Sequence, residues 1–168
     1  MDNKQAIRKL NFYLNGRNQQ SLPCLVGPTG TSKTDILSEV AKDLNAELIY
    51  FDMSQQQKGD NAIPTLKNKT IAYTLNNKFQ RIFDKPDKEY IIVCDEFNHA
   101  QKDVMLEWMK IITKHNVHGY ELGTNVHFVA TMNSSEDIDY VVNELDPAYS
   151  MNFNFIHLQP NTQKIAKD

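Results

Sequence analysis

Apolar and polar positions follow two different periods along the chain, and these periods predict helices and strands in turn. Residues 3–15 place Ile7, Leu10 and Leu14 at helical spacing, whereas 90–94 is a continuous apolar run of the kind found in buried strands. The whole pattern predicts helices at 3–15, 34–44, 66–84, 100–114 and about 135–145, and strands at 22–26, 47–52, 90–94, 126–131 and 153–158. Strands that alternate with helices indicate an α/β domain with a parallel sheet covered on both faces.

Some segments between these elements carry a weaker pattern. Residues 53–65 contain three consecutive glutamines, Gly59 and Pro64, which are loop signals. The next segment, 66–84, is assigned to a helix because Ile71, Leu75 and Phe79 lie four residues apart. Residues 115–125 contain two glycines and are typical of a loop or a short hairpin.

Length and charge narrow the classes of protein. The chain has 168 residues, of which 40% are hydrophobic, and this suits one globular domain with its own core. We therefore expect a core domain over 1–158 and a polar tail over 159–168. The net charge is −3, so a nucleic-acid partner is allowed but not indicated.

Hydropathy and cysteine usage point to a cytoplasmic protein. The sequence has no apolar run of membrane-spanning length, and it begins with polar residues, so we expect neither a membrane span nor a signal peptide. Cys24 and Cys94 both lie inside apolar runs. We expect them to be free and buried, as in a reducing compartment.

The strongest chemical signal is a glycine-containing loop between the strand at 22–26 and the helix at 34–44. The segment has the form of a P-loop, in which backbone N–H groups at a helix N-terminus surround a phosphate. Lys33 would reach the β- and γ-phosphates, and the Thr34 hydroxyl would bind Mg²⁺. The predicted nucleotide-binding residues of this loop are Gly27, Pro28, Thr29, Gly30, Thr31, Ser32, Lys33 and Thr34.

One position departs from the usual P-loop pattern. Ser32 stands directly before the lysine, where the pattern has glycine. If this position requires a positive φ, serine stores about 1–3 kcal/mol of strain there. If it does not, the replacement costs little.

Polar residues follow two further predicted strands. Asp95 and Glu96 come after the apolar run at 90–94, at the end of a strand where α/β sheets bind ligands. Asp95 is expected to hold Mg²⁺ through water, and Glu96 is expected to polarise the attacking water. Asn133 follows the strand at 126–131 and is either a turn residue or a side chain that positions this water.

Together these segments resemble the AAA+ ATPases. GPTGTSKT, IIVCDEFNHA and HFVATMNSSE are similar to the Walker A, Walker B and sensor 1 motifs, and they resemble most the MoxR and dynein-related branch. The resemblance spans about residues 5–158. It implies a three-layer core with a five-stranded parallel sheet in the order 5-1-4-3-2. That order places Cys24 and Cys94 two strands apart, which is too far for a disulfide.

The same resemblance exposes departures from the family pattern. Asn152 stands where the family has its arginine finger, and no arginine follows Arg81. The sequence also stops about where the family's helical lid would begin. We therefore expect the finger, the lid and its sensor 2 arginine to be missing.

These observations lead to a main hypothesis and two alternatives. The main hypothesis is a cytoplasmic AAA+ core that binds ATP and Mg²⁺, hydrolyses ATP weakly by itself, and acts on a protein partner or as a homo-oligomer. Lys33, Glu96 and Asn133 are its expected catalytic residues. The first alternative is a nucleotide-binding scaffold without catalysis. A small P-loop kinase is a more distant alternative, because no arginine-bearing lid is visible in the sequence.

Overall fold

The computed structural model of the protein describes residues 1–15, 21–28, 32–133 and 135–159, apart from the side chains of 135–137. The helices are α1 (Asn3–Leu14), α2 (Lys33–Asp43), α3 (Asn77–Asp84), α4 (Lys102–Lys114), α5 (Ser135–Glu144) and α6 (Pro147–Ser150), with a 3₁₀ turn at Phe97–His99. The strands are β1 (Leu22–Val26), β2 (Ala46–Asp52), β3 (Ala62–Lys67), β4 (Thr70–Leu75), β5 (Glu89–Asp95), β6 (Asn116–Val117), β7 (Tyr120–Glu121), β8 (Val126–Met132) and β9 (Phe153–His157).

The central sheet has five parallel strands in the order β2-β5-β8-β1-β9. Numbered along the chain within this sheet, the order is 5-1-4-3-2 when read from β9, so the prediction is confirmed. Each parallel pair is joined by a crossover through other elements, as parallel strands require. The carboxyl ends of all five strands therefore lie at one edge of the sheet.

Side chains alternate between the two faces of the sheet and join a separate core on each face. Ile91 and Val93 of β5 pack with α1 and α2, whereas Ile92 and Cys94 pack with α4 on the opposite face. This alternation follows from the two-residue period of a strand. It explains why β5 is apolar at successive positions, since both of its faces are buried.

Both cysteines are free and buried, as predicted. Cys24 and Cys94 are each in register with Ala130 of β8, which lies between their strands. Burial raises the pKa of both thiols, and the Asp95 carboxylate further raises that of Cys94. The two thiols are therefore protonated and unreactive parts of the core.

The predicted helix at 66–84 is wrong over its first half. Residues 62–75 form an antiparallel hairpin of β3 and β4, and the helix begins only at Asn77. Asn68 and Lys69 make the turn between the strands, with φ of 52° and 64°. Two left-handed residues give the tight turn that suits the twist of a hairpin. The predicted loop at 53–65 likewise ends early, because β3 begins at Ala62.

The remaining differences are small. The region 115–125 forms a short hairpin of β6 and β7, which was one of the two predicted forms. The chain between β8 and β9 holds the predicted α5 and a further short helix, α6, which Asp146 caps by accepting a hydrogen bond from the Ala148 N–H. Of the predicted polar tail, residues 160–168 lie outside the described residues. No described helix is long and apolar enough to cross a membrane.

Candidate functional site

The site lies where β1, β5 and β8 end side by side. We call this region the carboxyl edge; it comprises Gly27, Lys33, Asp95, Glu96, Thr131 and Asn133. The Gly27 N–H donates to the Met132 carbonyl over 3.1 Å, which fixes the start of the glycine loop beside the end of β8. The chain thus brings three predicted motifs, far apart in sequence, to one place.

Ser32 adopts the left-handed conformation, with φ 54° and ψ 24°, directly before α2. This is the strained alternative of the two that the sequence left open, since a side chain at positive φ costs free energy that glycine avoids. The Ser32 side chain makes no capping hydrogen bond to the helix. The helix dipole at this end of α2 favours an anion.

Lys33 is held against the ends of two strands. Its ammonium group donates to the carbonyl oxygens of Gly27 at 2.7 Å and Met132 at 3.3 Å. It also donates to the side-chain oxygen of Asn133 at 3.0 Å. The residues expected from Walker A and sensor 1 are therefore in direct contact.

Thr131 joins the strands that carry the acidic residues and the asparagine. Its hydroxyl donates to Asp95 Oδ1 at 2.7 Å and accepts from the Glu96 N–H at 3.0 Å. The residue is buried, with 2% of its surface exposed. Sequence reasoning placed Thr131 in a motif but gave it no role. The sequence feature that could have indicated its role is its hydroxyl group, on a strand expected to lie beside the strand that ends in Asp95.

Glu96, like Ser32, has a left-handed backbone conformation. It has φ 53° and ψ 52°, and it leads into the 3₁₀ turn at Phe97–His99. Its carboxylate lies 3.3 Å from His99 Nδ1, and both side chains are partly exposed. Strained backbone of this kind is common at functional sites.

The electric field of Asp95 extends to the neighbouring strand. Burial raises the pKa of Tyr50, and the Asp95 carboxylate raises it further. The Tyr50 hydroxyl is itself buried and has no hydrogen-bond partner among the described residues. The ends of β2 and β5 therefore form a part of the sheet edge that is only partly open to water.

The other predicted site residues have simpler surroundings. Thr34 lies exposed in the first turn of α2, and among the described residues no hydrogen bond ties it to Asp95. Pro28 is exposed beside Gly27. The remaining predicted loop residues, Thr29, Gly30 and Thr31, lie outside the described residues.

Asn152 lies at the other end of the sheet from the carboxyl edge. Its carbonyl accepts a hydrogen bond from the Leu22 N–H, where β1 begins, and its side chain donates to the Ala148 carbonyl. Since β1 rises about 3.3 Å per residue, its five residues separate Asn152 from the glycine loop by roughly 15 Å. Residue 152 thus lies far from the site of its own chain.

Solved structures show the same fold. The crystal structure of Cdc6p from Pyrobaculum aerophilum superposes with a TM-score of 0.61 over 96% of this chain and 46% of that chain, at 16% sequence identity. At this identity the likeness concerns the fold alone.

Comparison of sequences gives a more specific result. A tRNA dimethylallyltransferase of Lachnoclostridium phytofermentans is 28% identical over 134 residues, which are 77% of this chain and 39% of the transferase. The chain thus spans less than half the length of either of these proteins. Residues 23–153 match the AAA domain of the dynein-related subfamily. With this match over most of its length and with a P-loop fold, the chain belongs to the dynein-related AAA+ ATPases.

Proposed function

We propose that the carboxyl edge binds ATP with Mg²⁺ and slowly hydrolyses ATP, which releases the γ-phosphate. The observation that carries this proposal is the contact between Lys33 and Asn133 at 3.0 Å beside the Thr131–Asp95 hydrogen bond. A cation for phosphates, a carboxylate for a metal and an amide for water are needed together in such chemistry. Here they converge on one end of one sheet.

Each group has a role in binding. Backbone N–H groups at the start of α2 would face the β-phosphate, and Lys33 would neutralise the β- and γ-oxygens. The Thr34 hydroxyl and the Asp95 carboxylate would hold Mg²⁺, Asp95 through water. Both are hard oxygen donors of the kind that Mg²⁺ prefers. When bound, Mg²⁺ supplies charge stabilisation to the phosphate oxygens.

Glu96 and Asn133 serve the chemical step. The Glu96 carboxylate accepts a proton from the attacking water, and the Asn133 side chain orients that water. In this structure the Glu96 carboxylate is 3.3 Å from His99. The Thr131 hydroxyl, which accepts from the Glu96 N–H, would keep the backbone of Glu96 in place.

Turnover by the isolated chain is proposed to be weak. AAA+ resemblance assigns residue 152 to the arginine finger, and this chain has Asn152 there. Such fingers contribute about 10³–10⁵ in rate in the P-loop enzymes that use them. Because residue 152 lies at the opposite end of β1 from its own site, a finger at this position would serve the site of a neighbouring copy.

A nucleotide-dependent scaffold is the second candidate. Asn152 favours it, because a domain that needs only the shape of the nucleotide-bound state does not need a finger. The transferase named above gives no reason to propose tRNA modification, since the match leaves 61% of that enzyme without a counterpart. In either role we propose a cytoplasmic domain that acts on a protein partner or as a homo-oligomer.

Titration with a fluorescent ATP analogue, with and without Mg²⁺, tests the binding site. Lys33→Ala should weaken binding by about 100-fold or more, or about 2.7 kcal/mol. Lys42→Ala, on the exposed face of the same helix, is the matched control and should bind as the parent does. Equal affinity of Lys33→Ala and the parent would disprove the proposed site.

Single-turnover hydrolysis then separates the two candidates. For the ATPase, Asn152→Arg should raise the rate at protein concentrations where the chains associate and leave it unchanged where they are monomeric. If the parent has no turnover and Asn152→Arg gives none in an assembled state, the scaffold is the correct function.

A further inference from the structure

The β3–β4 hairpin has an apolar face that runs from the core into solvent. Cross-strand partners in such a hairpin share one face, and every second residue joins them. On this face the pairs are Ala62 with Leu75, Pro64 with Tyr73, and Leu66 with Ile71. The first pair is buried, whereas Leu66 and Ile71 are 80% and 71% exposed. The apolar surface therefore continues past the point where the protein itself covers it.

A groove of about 630 Å³ lies between this face and α4. Pro64 and Tyr73 line the hairpin side, and Leu106 and Ile111 line the helix side. We call this space, with Leu66 and Ile71 at its outer end, the hairpin groove. Its volume is within the range of natural ligand sites.

Glu107 and His118 fix the floor of the hairpin groove. Glu107 Oε1 accepts from the Asn61 side chain at 3.3 Å and lies 3.5 Å from His118 Nε2. The His118 ring lies against Tyr73, with 4.7 Å between ring centroids. These contacts tie the hairpin to α4, so the groove is held open by the protein's own side chains.

The rim of the groove is basic. Lys58, Lys110 and Lys114 line it and are exposed. None of the three takes part in an ion pair within the residues that the structure describes. The same lining holds two carboxylates, Asp103 and Glu107, of which Glu107 already contacts Asn61 and His118, so the three lysines outnumber them. The net charge of the whole chain is −3, so the positive charge of this rim is opposite in sign to that of the chain.

We propose that the hairpin groove binds a segment of a partner protein in which apolar side chains are flanked by carboxylates. The apolar residues would cover Leu66, Ile71 and the groove walls, and the carboxylates would meet the lysines of the rim. Exposed apolar surface next to charge of one sign is typical of protein-binding sites. The inference rests on the proposed function only in taking the partner to be a protein, and it does not involve nucleotide.

The aromatic residues of the hairpin argue against a nucleic acid. Single strands bind by stacking bases on free aromatic rings. Here one face of the Tyr73 ring lies against His118, and the Tyr120 ring lies near Phe83 with its hydroxyl donating to the Tyr73 carbonyl at 2.6 Å. The exposed side chains at the outer end, Leu66 and Ile71, are aliphatic and offer no stacking surface.

Fluorescence anisotropy with defined probes tests the proposal. The main probe is a short labelled peptide that combines leucine and glutamate. Two matched peptides replace each glutamate by lysine or each leucine by serine, and a single-stranded oligothymidylate is the fourth probe. We expect the leucine–glutamate peptide to bind at least about tenfold more tightly than any of the others, and to weaken as salt is raised.

Variants place the binding on the hairpin groove. Leu66→Ser with Ile71→Ser, and separately Lys110→Glu with Lys114→Glu, should each weaken the peptide by about tenfold or more. Phe12→Ser and Lys42→Glu are the controls, because Phe12 is an exposed apolar residue of α1 at 78% exposure and Lys42 is an exposed lysine of α2. Both controls should bind the peptide as the parent does.

Nucleotide titrations keep this proposal separate from the proposed function. The hairpin variants should bind ATP as the parent does, and Lys33→Ala should bind the peptide as the parent does. The proposal is overturned if the lysine peptide or the oligothymidylate binds as well as the leucine–glutamate peptide, or if no peptide binds. It is also overturned if the hairpin variants change only self-association, since the groove would then bind a second copy of the chain.

Discussion

The carboxyl edge and the β3–β4 hairpin differ in how their side chains are satisfied. At the carboxyl edge, Lys33, Asn133, Thr131 and Asp95 are linked by hydrogen bonds within the chain. On the hairpin, Leu66 and Ile71 lie mostly in solvent and their apolar surface is uncovered within the described structure. The first region is organised before its ligand arrives, as catalysis requires. The second gains stability only when something covers it.

The largest effect should come from removing the carboxylate that we propose as the proton acceptor. Glu96→Gln keeps the shape of the side chain but not its charge, so hydrolysis should fall by about 10²–10⁴-fold. Affinity for ATP and for the leucine–glutamate peptide should stay within about twofold of the parent. Single-turnover hydrolysis and the two titrations measure these quantities. Unchanged hydrolysis would transfer the role to another residue.

A pair of threonines compares the two regions directly. Thr131→Val removes a buried donor to Asp95 and a buried acceptor for the Glu96 N–H, and should lower the free energy of unfolding by about 2–3 kcal/mol. Thr65→Val on the hairpin removes an exposed hydrogen bond to the Ala72 carbonyl. Its effect should stay within about 0.5 kcal/mol. Denaturant unfolding gives both values.

Hydrolysis shows whether Thr131 acts beyond stability. Thr131→Ser keeps the hydroxyl and should retain turnover, whereas Thr131→Val should lower kcat more than it lowers ATP affinity. Equal losses of unfolding free energy in Thr131→Val and Thr65→Val would contradict the difference between the two regions.

The buried thiols predict a loss of stability at high pH. Their raised pKa means that the folded state keeps protons that the unfolded state releases above its own pKa, so unfolding becomes easier as pH rises. Ionisation of each thiol in the unfolded state should lower the free energy of unfolding by about 1.4 kcal/mol per pH unit above about pH 8.5–9. Unfolding of the parent and of Cys24→Ala between about pH 8 and 10 measures the difference, since tyrosine ionisation is common to both. Parallel curves would show that Cys24 is accessible in the folded state.

The smallest effect concerns the backbone. Ser32→Gly removes the side chain from a left-handed residue and should stabilise the fold by about 0.5–1 kcal/mol. Lys69→Gly at the hairpin turn is the matched change, with φ 64° against 54°. Thermal unfolding should show similar gains. A loss of ATP affinity in Ser32→Gly alone would instead assign the serine hydroxyl a part in binding.

The contrast between the regions also explains what the sequence could reveal. β1 and β8 are buried throughout and β5 is buried from Tyr90 to Cys94, so these segments are mainly apolar, and each leads directly into residues of the site. Their order in the sheet followed from the family resemblance. The role of Thr131 depends on β8 lying beside β5, and no pattern within either segment contains that information.

The hairpin was missed because its residues fit two periods. Ile71 and Leu75 are four apart, as in a helix, but Tyr73 between them completes a two-residue period. The turn has no glycine, since Asn68 and Lys69 take the left-handed conformation instead. The hairpin groove was equally invisible, because α4, the hairpin and the 116–118 segment meet only in the folded chain.

Three oxygens of the chain compete with a bound phosphate for the ammonium group of Lys33. A phosphate that approaches Lys33 must replace the oxygens of Gly27, Met132 and Asn133, which already accept from it. An anion that offers several charged oxygens to the ammonium group at once, as a triphosphate does, replaces these contacts more fully than a small anion with a single charge.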